Sequence, residues 1–237
     1  LRLNITTKPL ERMHPADLAD IMESLSPEDR EAIIESLTST AAAEALSEVE
    51  PEIQASILES LETEKAADIL EEMAPDEAAD ALAELEAETS REILDEMESE
   101  PKTEVRELLE FDEDTAGGLM NTEYVALHEH ATVGDAMDAL KGNDELLKGL
   151  TTLYLIDADG RLRGAVPLAR LFLARSGALL KSLAVDPLIE VGAAERQERV
   201  GELFDKYNLL SLPVLDDDGR LAGVITADDV ISLLRSR

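Results

Sequence analysis

The stretch FDEDTAGGLM, residues 111–120, separates two kinds of sequence in this chain. Before it, apolar residues recur at helical spacing and glycine is absent, whereas β-branched runs and Asp-Gly turns follow it. The stretch itself places three acids, residues 112–114, beside the glycine pair Gly117-Gly118. Adjacent glycines reach backbone angles closed to other residues. The stretch therefore predicts a joint between two domains, and a solvated linker is the alternative.

The composition is that of a globular protein. The chain has 237 residues, of which 44% are hydrophobic, and it has no cysteine, which excludes disulfides and thiolate metal sites. No apolar run approaches the roughly eighteen residues of a membrane span, and the first residues lack the apolar core of a signal peptide. We expect a soluble, cytoplasmic chain.

The net charge is strongly negative. Fifty-four acidic and 21 basic residues give a formal charge of −33. Such a surface repels nucleic acid and anionic lipid, so neither is an expected partner. It attracts cations, although an acid-rich surface also fits adaptation to high salt.

Residues 14–109 contain an internal repeat of about 24 residues. The units begin at His14, Thr38, Glu62 and Glu86. Apolar residues return at the i, i+3, i+4, i+7 spacing of one helix face. Pro27, Pro51 and Pro75 share one repeat position.

Each of these prolines begins a second short helix in its unit, because proline fits the first helical position. An acid follows each proline, where the helix dipole favours negative charge. In the fourth unit Ser99 replaces the proline. The pattern predicts a superhelical array of helix pairs.

Asp76 and Asp80 form a carboxylate pair at i, i+4 spacing on one helix of the third unit. The first two units have Ala32 and Ser56 at the second position. Like charges at this spacing cost only tenths of a kcal/mol, so the pair fits either a cation site or simple tolerance on an exposed face.

Two related halves follow the joint. LIDADGRLRGAV (residues 155–166) returns as VLDDDGRLAGVI (residues 214–225), and both predict a strand, an Asp-Gly turn and a second strand. Helical stretches flank each hairpin: VGDAMDAL and PLARLFLA in the first copy, VGELFDKY and ADDVISLL in the second. The first copy carries extra residues around KGNDELLKGL.

No pattern of catalytic residues accompanies this organisation. The chain has no nucleophile elbow, Walker loop or triad spacing, so we predict that it is not an enzyme. His128 and His130 are a candidate soft-metal pair without an obvious third ligand. Tyr124, Tyr154 and Tyr207 are interpreted as packing residues rather than cofactor-stacking residues.

The two halves resemble a tandem pair of CBS domains. GVITADD, residues 223–229, is similar to the nucleotide-contact pattern of that family, which implies adenine-nucleotide contacts by Gly223, Thr226 and Asp229. In the first half Pro167 and Arg170 stand where the Thr and Asp would be. The resemblance thus implies that ATP or another adenine nucleotide binds in the second half only.

FDEDTAGGLMNTEYVAL together with HPADLADIMESL resembles the cytosolic region of MgtE-type magnesium channels. The implied fold class is α + α/β: an N-terminal superhelical array followed by a tandem βαββα CBS pair. The implied domains are the helical repeats (1–111), the acidic/glycine joint (112–120), a first half (121–183) and a second half (184–237). In that family a connecting helix and a transmembrane pore follow, about where this chain ends at Arg237, so it is either part of a longer chain or a soluble relative.

The resemblance also implies a mechanism. Mg²⁺ fills acidic sites between the helical domain and the CBS pair and closes them on each other, while two chains meet as a homodimer through their CBS pairs. The implied metal residues are Asp76, Asp80, Glu198 and Asp229. Mg²⁺ suits such sites because it keeps several waters and takes one or two carboxylates.

Departures from the family pattern accompany these matches. Arg196, Asn208 and Ser232 stand where the resemblance implies carboxylates, so some of the implied metal sites are expected to be missing or weak.

The sequence thus supports a Mg²⁺-sensing regulatory region that gates a magnesium channel or transporter, with a transmembrane pore as partner if the gene continues past Arg237. A soluble adenine-nucleotide sensor that acts on an unknown partner is the alternative. A salt-adapted scaffold whose acids bind nothing specific is a third possibility.

Overall fold

The computed structural model describes residues 10, 12–141, 147 and 149–235. The chain divides into two compact units, a helical unit, Leu1–Glu110, and an α/β unit, Phe111–Arg237. Most of the extra residues predicted around KGNDELLKGL lie outside the described residues. Among the described residues, no helix is long and apolar enough to cross a membrane.

The helical unit consists of pairs of short helices, as the repeat predicts. The predicted unit starts, His14, Thr38, Glu62 and Glu86, are the residues that precede the first helix of each pair. The predicted prolines occupy the first position of the second helices, and Ser99 begins the last one. The helices are α1 (Pro15–Glu23), α2 (Pro27–Ser36), α3 (Ser39–Leu46), α4 (Pro51–Ser60), α5 (Thr63–Leu70), α6 (Pro75–Ala83), α7 (Ala87–Glu96) and α8 (Ser99–Leu108).

The helices stack in two layers. Each one packs against the helix two further along the chain, so that α1, α3, α5 and α7 form one layer and α2, α4, α6 and α8 the other. Small side chains allow this close stacking, and those that are fully buried include Ala42, Ala45, Ala66, Ala78 and Ala81. The acids of the unit lie mainly on its outer faces.

A polar contact that the sequence analysis missed recurs in this stack. Arg30, Gln54 and Lys102 occupy one repeat position, and each donates to a carbonyl at the end of the preceding helix: Met22 O at 2.7 Å, Leu46 O at 2.9 Å and Asp95 O at 3.1 Å. The last carbonyls of a helix have no partner within it, so these bonds satisfy groups that would otherwise need water. The third unit has the fully buried Ala78 at this position.

The α/β unit contains two copies of one small fold. The elements of the first half are β1 (Ala126–His128), α9 (Val133–Ala139), β2 (Thr152–Ile156), β3 (Leu162–Pro167) and two 3₁₀ helices, Leu168–Leu173 and Leu180–Leu183. Those of the second half are β4 (Val191–Gly192), α10 (Gln197–Tyr207), β5 (Ser211–Leu215), β6 (Leu221–Thr226) and α11 (Ala227–Arg235). In each half the first strand is parallel to the second, and the second and third form an antiparallel hairpin.

The two hairpins meet at their Asp-Gly turns. Leu162 N donates to Gly219 O at 3.3 Å, and Leu221 N donates to Gly160 O at 3.1 Å. Both glycines have positive φ, 79° and 77°, the conformation that the Asp-Gly signal predicts. Arg161 and Arg220 repeat the exchange with their side chains, since each donates to a carbonyl of the opposite turn, Asp218 O at 3.2 Å and Asp159 O at 3.0 Å.

Tyr154 joins the two halves behind these turns. Its ring is 1% exposed and packs with Leu162, Ala165, Leu221 and Val224. Its hydroxyl donates to Ser211 Oγ at 2.9 Å, and Ser211 in turn donates to Thr152 Oγ1 at 3.0 Å. Burial raises the pKa of Tyr154 to about 12, so the hydroxyl keeps its proton and remains a donor at neutral pH.

The helical stretch expected at PLARLFLA is present as a 3₁₀ helix over residues 168–173, which is longer than most 3₁₀ helices. Ala174, directly after it, is extended. Phe172 and Leu173 are 82% and 95% exposed. The described part of the chain therefore does not bury these two apolar side chains.

The conformational role predicted for Gly117 and Gly118 is also wrong. Neither has the positive φ that would require glycine. A Cβ at Gly117 would lie 2.3 Å from the Phe111 ring, and one at Gly118 would lie 2.6 Å from Asp112 O. Space, rather than backbone freedom, selects glycine at both positions. The boundaries of the joint stay a prediction.

The hydroxyl of Tyr154 is expected to stabilise the contact between the halves. Tyr154→Phe removes one buried hydrogen bond of about 1 kcal/mol, so the amides of β2 and β5 should exchange about fivefold faster if they open together. Hydrogen exchange followed by mass spectrometry measures this. Tyr207→Phe, at an exposed tyrosine, is the control. Equal exchange in the two variants would show that the hydroxyl contributes nothing.

Candidate functional site

The candidate nucleotide residues Thr226 and Asp229 lie together where β6 meets α11. Thr226 N and Thr226 Oγ1 lie 2.6 and 2.7 Å from Asp229 Oδ2, and Thr226 Oγ1 is also 2.5 Å from Asp228 Oδ1. A hydroxyl carries one hydrogen, so the Thr226 hydroxyl donates to one of these carboxylates at a time, while Thr226 N donates to Asp229. The arrangement closes the first turn of α11, where the amide groups and helix dipole favour an anion.

The same local geometry occurs in the first half at α9. Thr132 N donates to Asp135 Oδ2 at 2.7 Å, and Asp135 N donates to Thr132 Oγ1 at 3.3 Å. The bonds that Thr132 N and Thr132 Oγ1 donate to its carboxylate hold the pKa of Asp135 below its ordinary value. Thr-x-x-Asp is a recognised cap of helix N-termini. Capping alone accounts for the Thr226–Asp229 contact, and a nucleotide role for these residues stays a prediction.

Gly223 lies against the segment that leads into the first half. A Cβ here would be 2.7 Å from both Cγ and Sδ of Met120 and 2.9 Å from Asn121 O. Asn121 and Val224 exchange two backbone hydrogen bonds of 2.8 and 2.9 Å beside it. Glycine at this position therefore admits Met120, and a contact with nucleotide stays a prediction.

The corresponding place in the first half is occupied differently. Pro167 ends β3, and Arg170 Nη1 donates to Leu183 O at 2.8 Å and to Ala184 O at 2.9 Å. A guanidinium bonded to backbone thus replaces the carboxylate. This chemistry does not provide an acceptor for ribose hydroxyls.

The hydroxyls of Ser211 and Thr152 are site features that the sequence analysis missed. Ser211 is directly opposite Thr226 in the antiparallel pairing, so their side chains lie on the same face of the sheet. Thr152 is likewise opposite Pro167. Aligning the two hairpin sequences would have indicated both residues, because Thr152 begins β2 and Ser211 begins β5, the central strands of the two sheets.

The four candidate metal residues are divided between the units. Asp76, in the first turn of α6, is 9% exposed, while Asp80, one turn later, is exposed. Glu198 lies in the first turn of α10, with its Oε2 atom 3.4 Å from Arg196 Nε. Asp229 is half-buried at α11. Over the described part of the chain, no three His, Asp or Glu side chains are grouped so as to hold a metal ion.

The three expected departures have structural roles of their own or lie at the surface. Arg196 precedes α10 and pairs with Glu198 and Asp114. Asn208 ends α10 with φ of 50°, a left-handed conformation that asparagine tolerates. Ser232 is exposed on α11.

The other candidates form smaller arrangements. The rings of His128 and His130 are 5.1 Å apart, and His130 N donates to His128 Nδ1 at 3.3 Å. Tyr124 and Tyr154 pack edge to face with ring centroids 6.4 Å apart, as packing residues do.

Two family models match the chain. The model for the MgtE intracellular N domain matches residues 13–114, and the model for the CBS domain matches residues 116–177 and 180–236. The magnesium transporters MgtE of Thermus thermophilus and Enterococcus faecalis are 35% and 31% identical to the chain over 133 and 131 residues. These regions are 56% and 55% of the chain and 30% and 29% of the two relatives.

Solved structures match over nearly the whole chain. The crystal structure of the cytosolic domain of the Mg²⁺ channel MgtE in complex with ATP has a TM-score of 0.89 and 34% identity, covering 96% of this chain and 93% of that one. The soluble part of a magnesium transporter also has a TM-score of 0.89, with 28% identity, and covers 97% of this chain and 90% of that one.

Proposed function

This chain belongs to the MgtE family of magnesium transporters, of which it comprises the N domain and the CBS pair, and we propose that it is a Mg²⁺-sensing regulatory region that gates ion flux. The observation that carries the proposal is the match of both units together to the cytosolic domain of a Mg²⁺ channel. The expected location is the cytosolic face of a membrane. The pore is part of the proposal, and roughly five apolar segments of about twenty residues encoded after Arg237 would support it.

Mg²⁺ is proposed to bridge Asp76 and Asp80 of the helical unit to Asp229, Glu198 or their neighbours in the α/β unit. Charge favours this role for the helical unit, where acids outnumber bases about four to one. Two carboxylates about 4 Å apart repel by roughly 4 kcal/mol at an effective dielectric constant near 20. A closed form that brings such groups together therefore needs a cation.

Several cations are required for a complete switch. Changing a population from 1:99 to 99:1 takes about 5.5 kcal/mol, and one site at tenfold its dissociation constant contributes only about 1.4 kcal/mol. Roughly four sites must act together. Because Arg196, Asn208 and Ser232 replace three implied carboxylates, closure in this chain should need more Mg²⁺ than in a fully acidic relative.

We expect Mg²⁺ to reduce the radius of gyration measured by small-angle scattering, with a midpoint that rises in Asp76→Asn/Asp80→Asn. The matched control is Glu100→Gln/Glu104→Gln, because these exposed acids occupy the equivalent positions of the fourth unit. NaCl of equal ionic strength tests the salt-adapted alternative. Equal compaction in NaCl would mean that the acids are only screened, and an unmoved midpoint in the Asp76/Asp80 variant would show that the chosen residues are wrong.

An adenine nucleotide is the proposed second ligand, held in the second half by Thr226, Asp229 and the N-terminus of α11. The related channel domain was solved with ATP, which supports this choice. If the gene encodes no membrane spans, nucleotide sensing by a soluble protein becomes the better function.

Asp229→Ala should weaken ATP binding at least tenfold in calorimetry with Mg²⁺ present, because ribose hydroxyls would lose a charged acceptor. Asp135→Ala removes a helix cap of the same geometry, at α9 in the first half, and should leave the affinity unchanged. Circular dichroism of both variants reports any loss of helix. ATP affinity that survives in Asp229→Ala would reject the assignment.

The proposed assembly is a homodimer through the CBS pairs. The nearly complete exposure of Phe172 and Leu173, with Leu210 at 63% and Ile231 at 58%, supports an apolar contact on the α/β unit. Light scattering should give the mass of a dimer at tens of micromolar, and Phe172→Asp with Leu173→Asp should reduce it towards that of a monomer. A monomeric unmodified protein, with and without Mg²⁺, would contradict the proposal.

A further inference from the structure

The segment between the two units is bonded to the second half, although the first half follows it in the chain. Ala116 N donates to Glu195 O at 2.7 Å, and Gly117 N donates to Ala193 O at 2.9 Å. A few residues further on, Asn121 pairs with Val224 on β6. Ala116 and Met120 are 0% and 3% exposed, so the joint is also packed into this half.

Asp114 makes the contact that links the joint to α10. Its carbonyl accepts from Gln197 N at 2.9 Å, and its Oδ1 accepts from Gln197 Nε2 at 2.6 Å. Asp114 Oδ2 is also 3.8 Å from Arg196 Nη2. Arg196, the residue that precedes α10, makes no side-chain capping bond itself. Asp114, 83 positions before Gln197, therefore supplies a backbone acceptor and a negative charge at the N-terminus of this helix.

The beginning of the joint is folded back on itself. Thr115 N and Thr115 Oγ1 donate to Asp112 O at 3.0 and 2.7 Å, and Leu119 N donates to Thr115 O at 3.1 Å. The Phe111 ring lies over Gly117, in the space where a larger residue would need its Cβ. Residues 111–121 are thus a compact part of the second half.

We propose that the joint is a rigid arm of the second half, held against α10 by Asp114, and that the helical unit turns on the N-terminal side of Phe111. The movement of the helical unit rests on the proposed Mg²⁺-dependent closure, whereas the rigidity of the arm does not depend on that closure. The arm then transmits a movement of the helical unit first to α10 and to β6, the strand that leads to Thr226.

Distances between spin labels test the position of the hinge, and the absence of cysteine allows labels to be placed singly. One pair joins the arm to α10 (Glu113→Cys with Asp205→Cys), and the other joins the helical unit to α10 (Glu64→Cys with Asp205→Cys). All three are exposed positions. Doubly labelled chains are mixed with an excess of unlabelled protein, so that distances between labels on two different protomers do not contribute to the measurement.

The arm-to-α10 distance should be narrowly distributed and equal with and without Mg²⁺, while the distance from the helical unit changes. If both distances change together, the hinge lies within the joint and the proposal is wrong. If Mg²⁺ changes neither distance, the proposed closure is wrong. The width of the arm-to-α10 distribution then tests the arm by itself, because a narrow distribution supports a rigid arm and a broad distribution rejects it.

Hydrogen exchange tests the role of Asp114. In Asp114→Ala the carbonyl still accepts from Gln197 N, but the side-chain bond to Gln197 Nε2 and the charge beside Arg196 are lost. The loss of one hydrogen bond of about 1 kcal/mol should make the amides of Ala116 and Gly117 exchange about fivefold faster. It should also broaden the arm-to-α10 distribution. Asp112→Ala is the control, because the bonds described for Asp112 use its carbonyl, and it should change neither. Unchanged exchange in Asp114→Ala would show that the Asp114 side chain does not hold the arm.

Discussion

The α/β unit depends on the backbone pairing between its two Asp-Gly turns. A three-stranded sheet is barely large enough to be stable alone, and the bonds between Leu162, Leu221 and the opposite glycine carbonyls join two such sheets. The positive φ of Gly160 and Gly219 turns these carbonyls towards the other half. Tyr154 can then be buried between the sheets, and Ser211 and Thr226 come to lie on the face where the halves meet.

Features with local causes could be predicted from the sequence. The repeat, the prolines that begin helices and the Asp-Gly hairpins each depend on neighbouring residues, and all occur where expected. The Thr226–Asp229 contact is local as well, but a helix cap and a ligand site share this spacing. Local pattern therefore locates these two residues without deciding their role.

Features that depend on distant residues could not be predicted in the same way. Gly223 is selected by the position of Met120, and Asp114 meets Gln197 across 83 residues. Arg170 reaches the carbonyls of Leu183 and Ala184, which no spacing rule indicates. The candidate metal residues lie on two units. The periodicity of apolar residues within one unit gives no information about where residues of the other unit lie.

The carboxylates that link successive helix pairs make the array less uniform than its sequence repeat. Glu23 accepts from the backbone N–H of Glu50, and Glu71 accepts from that of Glu98, whereas Ser47, at the same position of the second unit, bonds Glu77 instead. This contact thus recurs after two units, or about 48 residues, rather than after one. Inserting or removing one unit would therefore break this alternation, whereas inserting or removing two units would keep it.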